Sequence, residues 1–260
     1  MKERRMVVEW PELPGKVLLV MLWMVASSCQ SQPEFRSEPI THEAFTGFLR
    51  QYVDGDGMVN YRAMQKDSTS LNKYLATLES HHPHTGKWSK AEQLAYWINA
   101  YNAFTLQLVL RHYPVESIKD LGGWIYRVNT TWDIRFIEIE GQRYHLNDIE
   151  HNIIRKQFDE PRIHFALVCA ARSCPRLRNE AYEAHRLEEQ LEDQTRHFFN
   201  SWRNELKEEA LKLSKLLKWY SGDFKNHGGV RVFVERYGAV SVSPDARIEY
   251  LEYDWKLNEQ

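Results

Sequence analysis

The segment from Ser89 to His112 constrains the fold most, because it predicts one long helix buried over a wide face. Ser89 and Glu92 have the spacing of a capping box, which satisfies the backbone N–H groups at a helix start. Pro114 disfavours helical backbone at the residue before it, so the helix ends there. Apolar residues recur at the helical period at Leu94, Trp97, Ile98, Tyr101, Phe104, Leu108 and Val109.

Two amides, Asn99 and Asn102, lie three residues apart beside this apolar stripe. Buried amides need hydrogen-bond partners. Two roles fit equally well: the amides orient a catalytic group, or they tie down a neighbouring loop.

The rest of the chain predicts an α+β fold, with a helical N-terminal half packed on a small, mainly antiparallel sheet. Glu140-Gly141 divides two short alternating runs and predicts a hairpin. Asp54-Gly55-Asp56-Gly57 fails the ligand pattern of a calcium loop and predicts a tight turn. Helices are predicted near 42–52, 68–80, 115–121, 148–158, 186–200, 215–220 and 229–237, and strands near 135–139, 143–146, 163–168, 210–213 and 248–255.

Residues 1–29 have the layout of an export signal: basic residues, the apolar run Val17 to Ala26, and then Cys29. That run is about half of the ~20 residues of a membrane-spanning helix. The pattern resembles a bacterial lipoprotein signal in which Cys29 is lipidated; an ordinary cleaved signal is the alternative. We predict a tether at 30–40 and a single globular domain at 41–260. Gln30 carries no acidic retention cue, so we expect the periplasmic face, and the outer membrane where one exists.

The charge and composition of the chain limit the classes of partner and cofactor that we expect. The formal net charge is −2 and no basic stripe with interleaved aromatic residues occurs, so nucleic acid is not an expected partner. The hydrophobic content of 43% and nine tryptophans predict a well-packed domain. We predict no cofactor and no metal ion.

The segment Arg162 to Leu177 is the richest in reactive residues. Residues 163–168 predict a buried strand, on which His164 and Cys169 point to opposite faces because they are an odd number apart. Pro175 disfavours helical backbone at Cys174 and can begin a following helical turn, with Cys174 as its cap.

Three readings of the cysteines remain open. Positive charge from Arg172 and Arg176, together with a helix start, favours Cys174 as a nucleophile, with a histidine as base. The four-residue spacer also allows a Cys169–Cys174 disulfide within the ~7 Å limit on Cα separation. A zinc site with His164 and His151 is a loose match to known ligand spacings.

A helix from Asp148 to about Phe158 is predicted to begin with Asn147 and Glu150 in capping positions. His151 and Arg155 lie four residues apart and share one face. If that face meets the strand that carries His164, a polar cluster forms.

Three motifs resemble the bacterial domain of unknown function family numbered 547: residues 96–103, residues 146–151 with Arg155, and residues 162–167 running to Ser173-Cys174-Pro175. The resemblance covers roughly Tyr52 to Asp223. It implies export, and a distant similarity to papain-like and transglutaminase-like folds. In papain-like folds the nucleophile begins the core helix, whereas this chain has Asn99 and Asn102 on that helix.

Together these observations predict an exported, lipid-anchored protein capable of acyl transfer or amide hydrolysis on a peptide-like substrate or other envelope component. Cys174 would be the nucleophile, His164 or His151 the base, and Asn99 the residue that orients it. The alternative is a non-catalytic envelope binding or scaffold domain with a structural disulfide, and in both readings the membrane is reached only through the lipid on Cys29. The remaining predicted pocket residues are Asn102, Glu150, Arg155 and Cys169.

Overall fold

Helix α4 (Lys90–His112) is buried along most of its length and begins as predicted. The Ser89 side chain accepts a hydrogen bond from the Glu92 N–H at 3.2 Å, and the Glu92 carboxylate accepts one from the Ser89 N–H at 2.6 Å. The computed structural model describes residues 38–84, 86–121 and 130–260. The predicted signal, Cys29 and all but the last three tether residues lie outside these ranges.

Most of the other predicted helices are present with small shifts in their ends, and two short helices, Tyr61–Lys66 and Ser221–Phe224, were not predicted. The regular helices are α1 (Glu43–Tyr52), α2 (Tyr61–Lys66), α3 (Ser68–Glu79), α5 (Arg155–Gln157), α6 (Leu187–Phe199), α7 (Lys215–Trp219), α8 (Ser221–Phe224) and α9 (Gly229–Gly238). A π-helix spans Asp148–Ile154, and 3-10 turns span Ile118–Leu121, Thr131–Asp133, Pro161–Phe165, Ala184–Arg186 and Lys225–His227.

The strands of the described residues form two small sheets, so the α+β class is confirmed, although one sheet was expected. The predicted hairpin is present, with Glu140 and Gly141 at positive φ in its turn. In the second sheet the central strand pairs antiparallel with one neighbour and parallel with the other. The strands are β1 (Ile137–Ile139), β2 (Gln142–Tyr144), β3 (Glu205–Lys207), β4 (Ala210–Leu213) and β5 (Arg247–Tyr250).

The predicted strand at 163–168 is wrong. Pro161 opens a 3-10 turn that runs to Phe165, and the chain then continues without regular structure. The Asn102 side chain takes the backbone groups that a strand partner would use: it donates to the Ala166 carbonyl and accepts from the Val168 N–H, both at 2.9 Å. The alternation argument that separated His164 from Cys169 therefore does not apply.

This segment lies between two hydrophobic clusters. Ile163 and Ala166 belong to the larger cluster, which contains α4. Phe165 belongs to the smaller cluster, where its ring packs against Phe198 at 4.7 Å and Phe224 at 5.8 Å between centroids. The segment thus holds His164 at the boundary between the two clusters.

The acidic turn at 54–57 is confirmed. One oxygen of the Asp54 carboxylate accepts hydrogen bonds from the N–H groups of Asp56 and Met58, at 3.0 and 2.9 Å. Gly57 has a φ of +80°, and a Cβ there would lie 2.5 Å from the Leu177 nitrogen, so glycine is required.

Candidate functional site

A cavity of about 240 Å³ contains most of the predicted site residues. Six aromatic rings, one buried carboxylate, two histidines and both cysteines of the 162–177 segment contribute to its wall. Its lining residues are Tyr101, Thr130, Trp132, Asn147, Glu150, His151, His164, Leu167, Cys169, Cys174, Leu216, Trp219, Tyr220, Tyr253 and Trp255.

Glu150 lies on the π-helix and is only 5% exposed. The hydroxyl groups of Tyr101 and Tyr220 hydrogen-bond to it, and burial together with its negative charge raises the pKa of both tyrosines. The capping role predicted for Glu150 is wrong. Asn147 has helical backbone angles, φ −61° and ψ −30°, and its side chain donates to Asp133 instead. The Glu150 side chain is therefore available to the cavity.

His151 and Arg155 share a face as predicted, and Asp223 connects that face to His164. Arg155 donates two hydrogen bonds of 2.6 Å to the Asp223 carboxylate. Its remaining terminal nitrogen lies 3.0 Å from His151 Nδ1. A guanidinium can only donate, so His151 accepts at Nδ1 and carries its proton on Nε2. His164 Nε2 lies 2.7 Å from the same Asp223 carboxylate.

Burial sets the protonation of this pair. His164 is 2% exposed and stacks on the Tyr220 ring with centroids 3.8 Å apart. Burial lowers the pKa of His164, and this outweighs the opposing pull of Asp223, so the imidazole is neutral at neutral pH. Hydrogen bonds from His164 and Arg155 hold the pKa of Asp223 well below its usual range.

A disulfide joins Cys169 and Cys174, whose Cα atoms are 6.2 Å apart. The Cys169 N–H lies 3.0 Å from Cys174 Sγ, and the Tyr253 hydroxyl lies 3.3 Å from the same sulfur. In this form neither sulfur is a thiol. The thiol-based role predicted for Cys174 therefore requires reduction first.

The environment predicted for Cys174 is wrong in two respects. Residues 175–183 contain no helix, so Cys174 caps none; the Gln194 side chain donates to the Arg176 carbonyl at 2.6 Å and holds this stretch in an irregular path. Arg176 also pairs with Asp193 at 2.7 Å, which compensates its charge.

Arg203 supports the disulfide loop. It is 7% exposed and donates hydrogen bonds to the backbone carbonyls of Cys174 and Arg172. Burial lowers its pKa to about 10, which still leaves it charged at neutral pH. A buried cation thus holds the loop through the main chain, independently of the S–S bond.

Asn99 and Asn102 do not line the cavity. The Asn99 side chain donates to the Tyr182 carbonyl at 2.8 Å and accepts from the Tyr182 N–H at 2.9 Å. Asn102 makes the equivalent pair with Ala166 and Val168. Both amides are occupied by main-chain partners, and neither is hydrogen-bonded to a histidine.

Comparison with known families adds an identity to this geometry. Residues 85–199 match the family described as "Protein of unknown function, DUF547". Residues 85–199 are therefore a DUF547 segment. No curated protein and no solved structure matches the chain.

The DUF547 match is narrower than the predicted span from Tyr52 to Asp223, and it does not contain the whole cavity. Glu150, His151, His164 and the disulfide lie inside the matched residues. Asp223 lies outside them, as do five cavity residues: Leu216, Trp219, Tyr220, Tyr253 and Trp255. The cavity is therefore formed jointly by the DUF547 segment and the chain that follows it.

Sequence reasoning missed Asp223 and the six aromatic residues of the cavity. The nine tryptophans were a signal, but they indicated only a packed domain. Asp223 follows Tyr220-Ser221-Gly222, and no spacing rule connects it with His164, 59 residues away.

A larger cavity of about 740 Å³ lies beside the start of α1 and the 3-10 turn Ala184–Arg186, and none of the predicted site residues lines it. No cluster of three His, Cys, Asp or Glu side chains suited to a metal ion occurs among the described residues. Within the same ranges, no helix combines the length and apolar character of a bilayer crossing.

Proposed function

We propose that the protein, in its disulfide form, binds a small ligand in the aromatic cavity and acts without covalent catalysis. The observation that carries this is the disulfide itself, because Cys169 and Cys174 contribute to the cavity wall with both sulfurs already bonded. Thiolates are nucleophiles, whereas disulfide sulfurs are not. Oxidising compartments preserve such bonds, which agrees with the predicted export signal.

The lining suits a ligand site. Ligand pockets combine apolar and aromatic walls with a few placed polar groups, and here Glu150 and His151 are those groups among the rings. The volume of about 240 Å³ is slightly below the ~300 Å³ at the small end of typical ligand pockets. The bound group is therefore small, such as one ring or one head group.

The His164–Asp223 pair favours a second candidate, thiol-dependent acyl transfer or amide hydrolysis in the reduced protein. A dithiol reductant would convert the disulfide to two thiols and itself become a disulfide. Cys174 would then give its proton to a histidine and attack a carbonyl carbon, and the histidine would pass that proton to the leaving amine as its bond to the carbon breaks. Water or another acceptor would release the acyl group from Cys174, and a carboxylate would orient the histidine, as in known triads. Asp223 would take the orienting role predicted for Asn99.

Thiol labelling separates the two candidates. The full chain is isolated under non-reducing conditions and treated with iodoacetamide, and the labelled peptides are identified by mass. We expect no label at Cys169 or Cys174 before a dithiol is added and label at both afterwards. Label at Cys174 in the untreated protein, with p-nitrophenyl acetate hydrolysis that Cys174→Ser abolishes, would overturn the binding proposal.

The proposal includes export and anchoring through a lipid on Cys29, with an envelope component as ligand or partner. The signal-like pattern of residues 1–29 supports this. Metabolic labelling with a fatty acid is expected to tag the wild-type protein in the membrane fraction. Cys29→Ser should lose the tag, and a tagged Cys29→Ser protein would contradict lipidation at this residue.

A further inference from the structure

We propose that the ligand of this cavity carries an alkylated ammonium cation, such as a trimethylammonium head group. The inference rests on the proposed binding function and specifies its ligand class. Three observations carry it: the ring content of the wall, the cations that these rings already attract, and the charge of Glu150.

The rings form a continuous aromatic wall. Trp219, Tyr253 and Trp255 contact one another with centroid separations of 4.6 to 5.8 Å, and Trp132 reaches Trp255 at 5.9 Å. Ring faces carry partial negative charge, and a cation within ~6 Å of a centroid is attracted to them. Clustered rings of this kind are the usual way in which proteins recognise quaternary ammonium groups.

Two rings of the cavity lining already attract cations of the chain itself. The Lys119 ammonium lies 4.8 Å from the Trp255 centroid, and the Arg155 guanidinium lies 5.3 Å from the Tyr220 centroid. Neither cation lines the cavity. The rings are therefore electrostatically suited to a positive group, while the cavity holds neither of these two cations.

Glu150 places a carboxylate in the cavity, and Arg155 acts on it only from beyond ion-pair distance. Its ion-pair contact within 4 Å among the described residues is with His151, whose Nδ1 lies 3.9 Å away. That nitrogen accepts a hydrogen bond from Arg155, so it offers no proton to Glu150. Arg155 is itself paired with Asp223 through two hydrogen bonds. Among the described residues that line the cavity there is no lysine or arginine.

An alkylated ammonium group fits this combination better than a primary amine or a neutral ring. It needs no hydrogen-bond acceptor, and the two tyrosine hydroxyls already use hydrogen-bonding capacity of the carboxylate. Burial of its methyl groups against the tryptophans removes apolar surface from water. Glu150 then interacts with the cation through charge alone.

The test compares choline with its neutral isostere 3,3-dimethylbutan-1-ol, using the oxidised full chain. Binding is measured by calorimetry and by tryptophan fluorescence. We expect choline to bind about tenfold or more tightly than the neutral compound, since the shapes match and only the charge differs. Glu150→Gln should remove most of that preference. Glu252→Gln, at a fully exposed carboxylate paired with Lys215, is the matched control and should keep it.

A second variant tests the rings. Trp255→Leu should weaken choline about tenfold while it keeps an apolar wall. Near-ultraviolet circular dichroism of each variant checks that the core is intact. Retention of the choline preference in both Glu150→Gln and Trp255→Leu would overturn the inference.

The inference and the proposed function fail in different ways. Equal affinity for choline and the neutral isostere, or binding of phenol without binding of choline, overturns the cation inference and leaves ligand binding in place. If choline, the isostere, phenol and methyl glucoside all fail to bind the oxidised protein, both the inference and the proposed binding function are overturned.

Discussion

Two groups of buried polar side chains were predicted to belong to the site, but they have different kinds of partner. Asn99 and Asn102 on α4 are 0% and 3% exposed, and the side-chain amide of each hydrogen-bonds to main-chain groups. Glu150 and His164 are 5% and 2% exposed, yet their partners are side chains, and both line a cavity. Burial is therefore the same in the two groups, and only the kind of partner differs.

The kind of hydrogen-bond partner therefore separates a buried polar residue with a structural role from one that can serve a function. A side chain that satisfies backbone groups fixes the path of a loop, and its removal leaves those groups unpaired. A side chain held by other side chains in a cavity can exchange partners with a ligand.

Asn102→Ala is expected to lower the free energy of unfolding by about 4 kcal/mol, because it leaves the Ala166 carbonyl and the Val168 N–H unpaired inside the core, at 1–3 kcal/mol each. Urea denaturation measures the change. Gln107→Ala is the control on the same helix, since its side-chain oxygen has no hydrogen-bond partner. Similar losses of unfolding free energy in the two variants would contradict the structural role of Asn102.

His42 is a buried, titratable side chain outside the aromatic cavity, so its effect on stability depends on pH. Burial lowers its pKa to about 4, and its Nδ1 lies 2.7 Å from the Tyr74 hydroxyl. The folded state resists a proton that the unfolded chain binds at its ordinary pKa of about 6.5. This contribution to stability is complete above pH 6.5 and is lost as the pH falls towards 4, by about 3 kcal/mol.

The measurement is the difference in unfolding free energy between wild type and His42→Asn at pH 7.5 and at pH 4.5. We expect the variant to lose less stability on acidification. A difference that stays constant with pH would contradict the role of His42. His164, whose pKa burial also lowers, changes stability in the same direction below pH 6.5.

Reduction of the Cys169–Cys174 disulfide is expected to lower stability by about 2 kcal/mol, because the bond closes a loop of only a few residues. Denaturation with and without a dithiol measures this, and the Cys169→Ser, Cys174→Ser double variant provides a reductant-free control. A loss of unfolding free energy as large as that of Asn102→Ala would mean that the disulfide in the cavity wall contributes as much to stability as the Asn102 side chain on α4.

Glu150→Gln is expected to change the free energy of unfolding by less than about 1 kcal/mol despite 95% burial of the residue, because an amide of the same shape still offers an oxygen to Tyr101 and Tyr220. Thermal denaturation measures it. A small change in unfolding free energy, combined with a lost preference for choline, would show that Glu150 serves ligand binding. A loss of several kcal/mol of unfolding free energy would show that Glu150 has a structural role instead.

Local signals in the sequence determine much of the fold. The capping box at Ser89 and Glu92, the hairpin turn at Glu140-Gly141 and the four-residue strand Ala210–Leu213 were all predicted where they occur. Each depends on neighbours within a few residues. Hydrogen bonds and apolar periodicity over such distances can be inferred from the chain alone.

Features that depend on distant partners were not predictable. Residues 163–168 have the composition of a strand, but Asn102 occupies the backbone groups that a strand would need. Glu150 has the spacing of a cap, but Tyr101 and Tyr220 fix its position in the cavity. The predicted segments thus contribute side chains to one cavity, while the partners of those side chains and the disulfide required the structure.

The contacts of Arg203 with the carbonyls of Arg172 and Cys174 have a consequence for redox kinetics. A loop held through its main chain keeps two freed thiols at a high effective concentration relative to each other. With a small disulfide as oxidant, one freed thiolate forms a mixed disulfide, and the neighbouring thiol then displaces the small thiol and restores the Cys169–Cys174 bond. We expect this second step to be fast, so that few mixed disulfides accumulate during reoxidation.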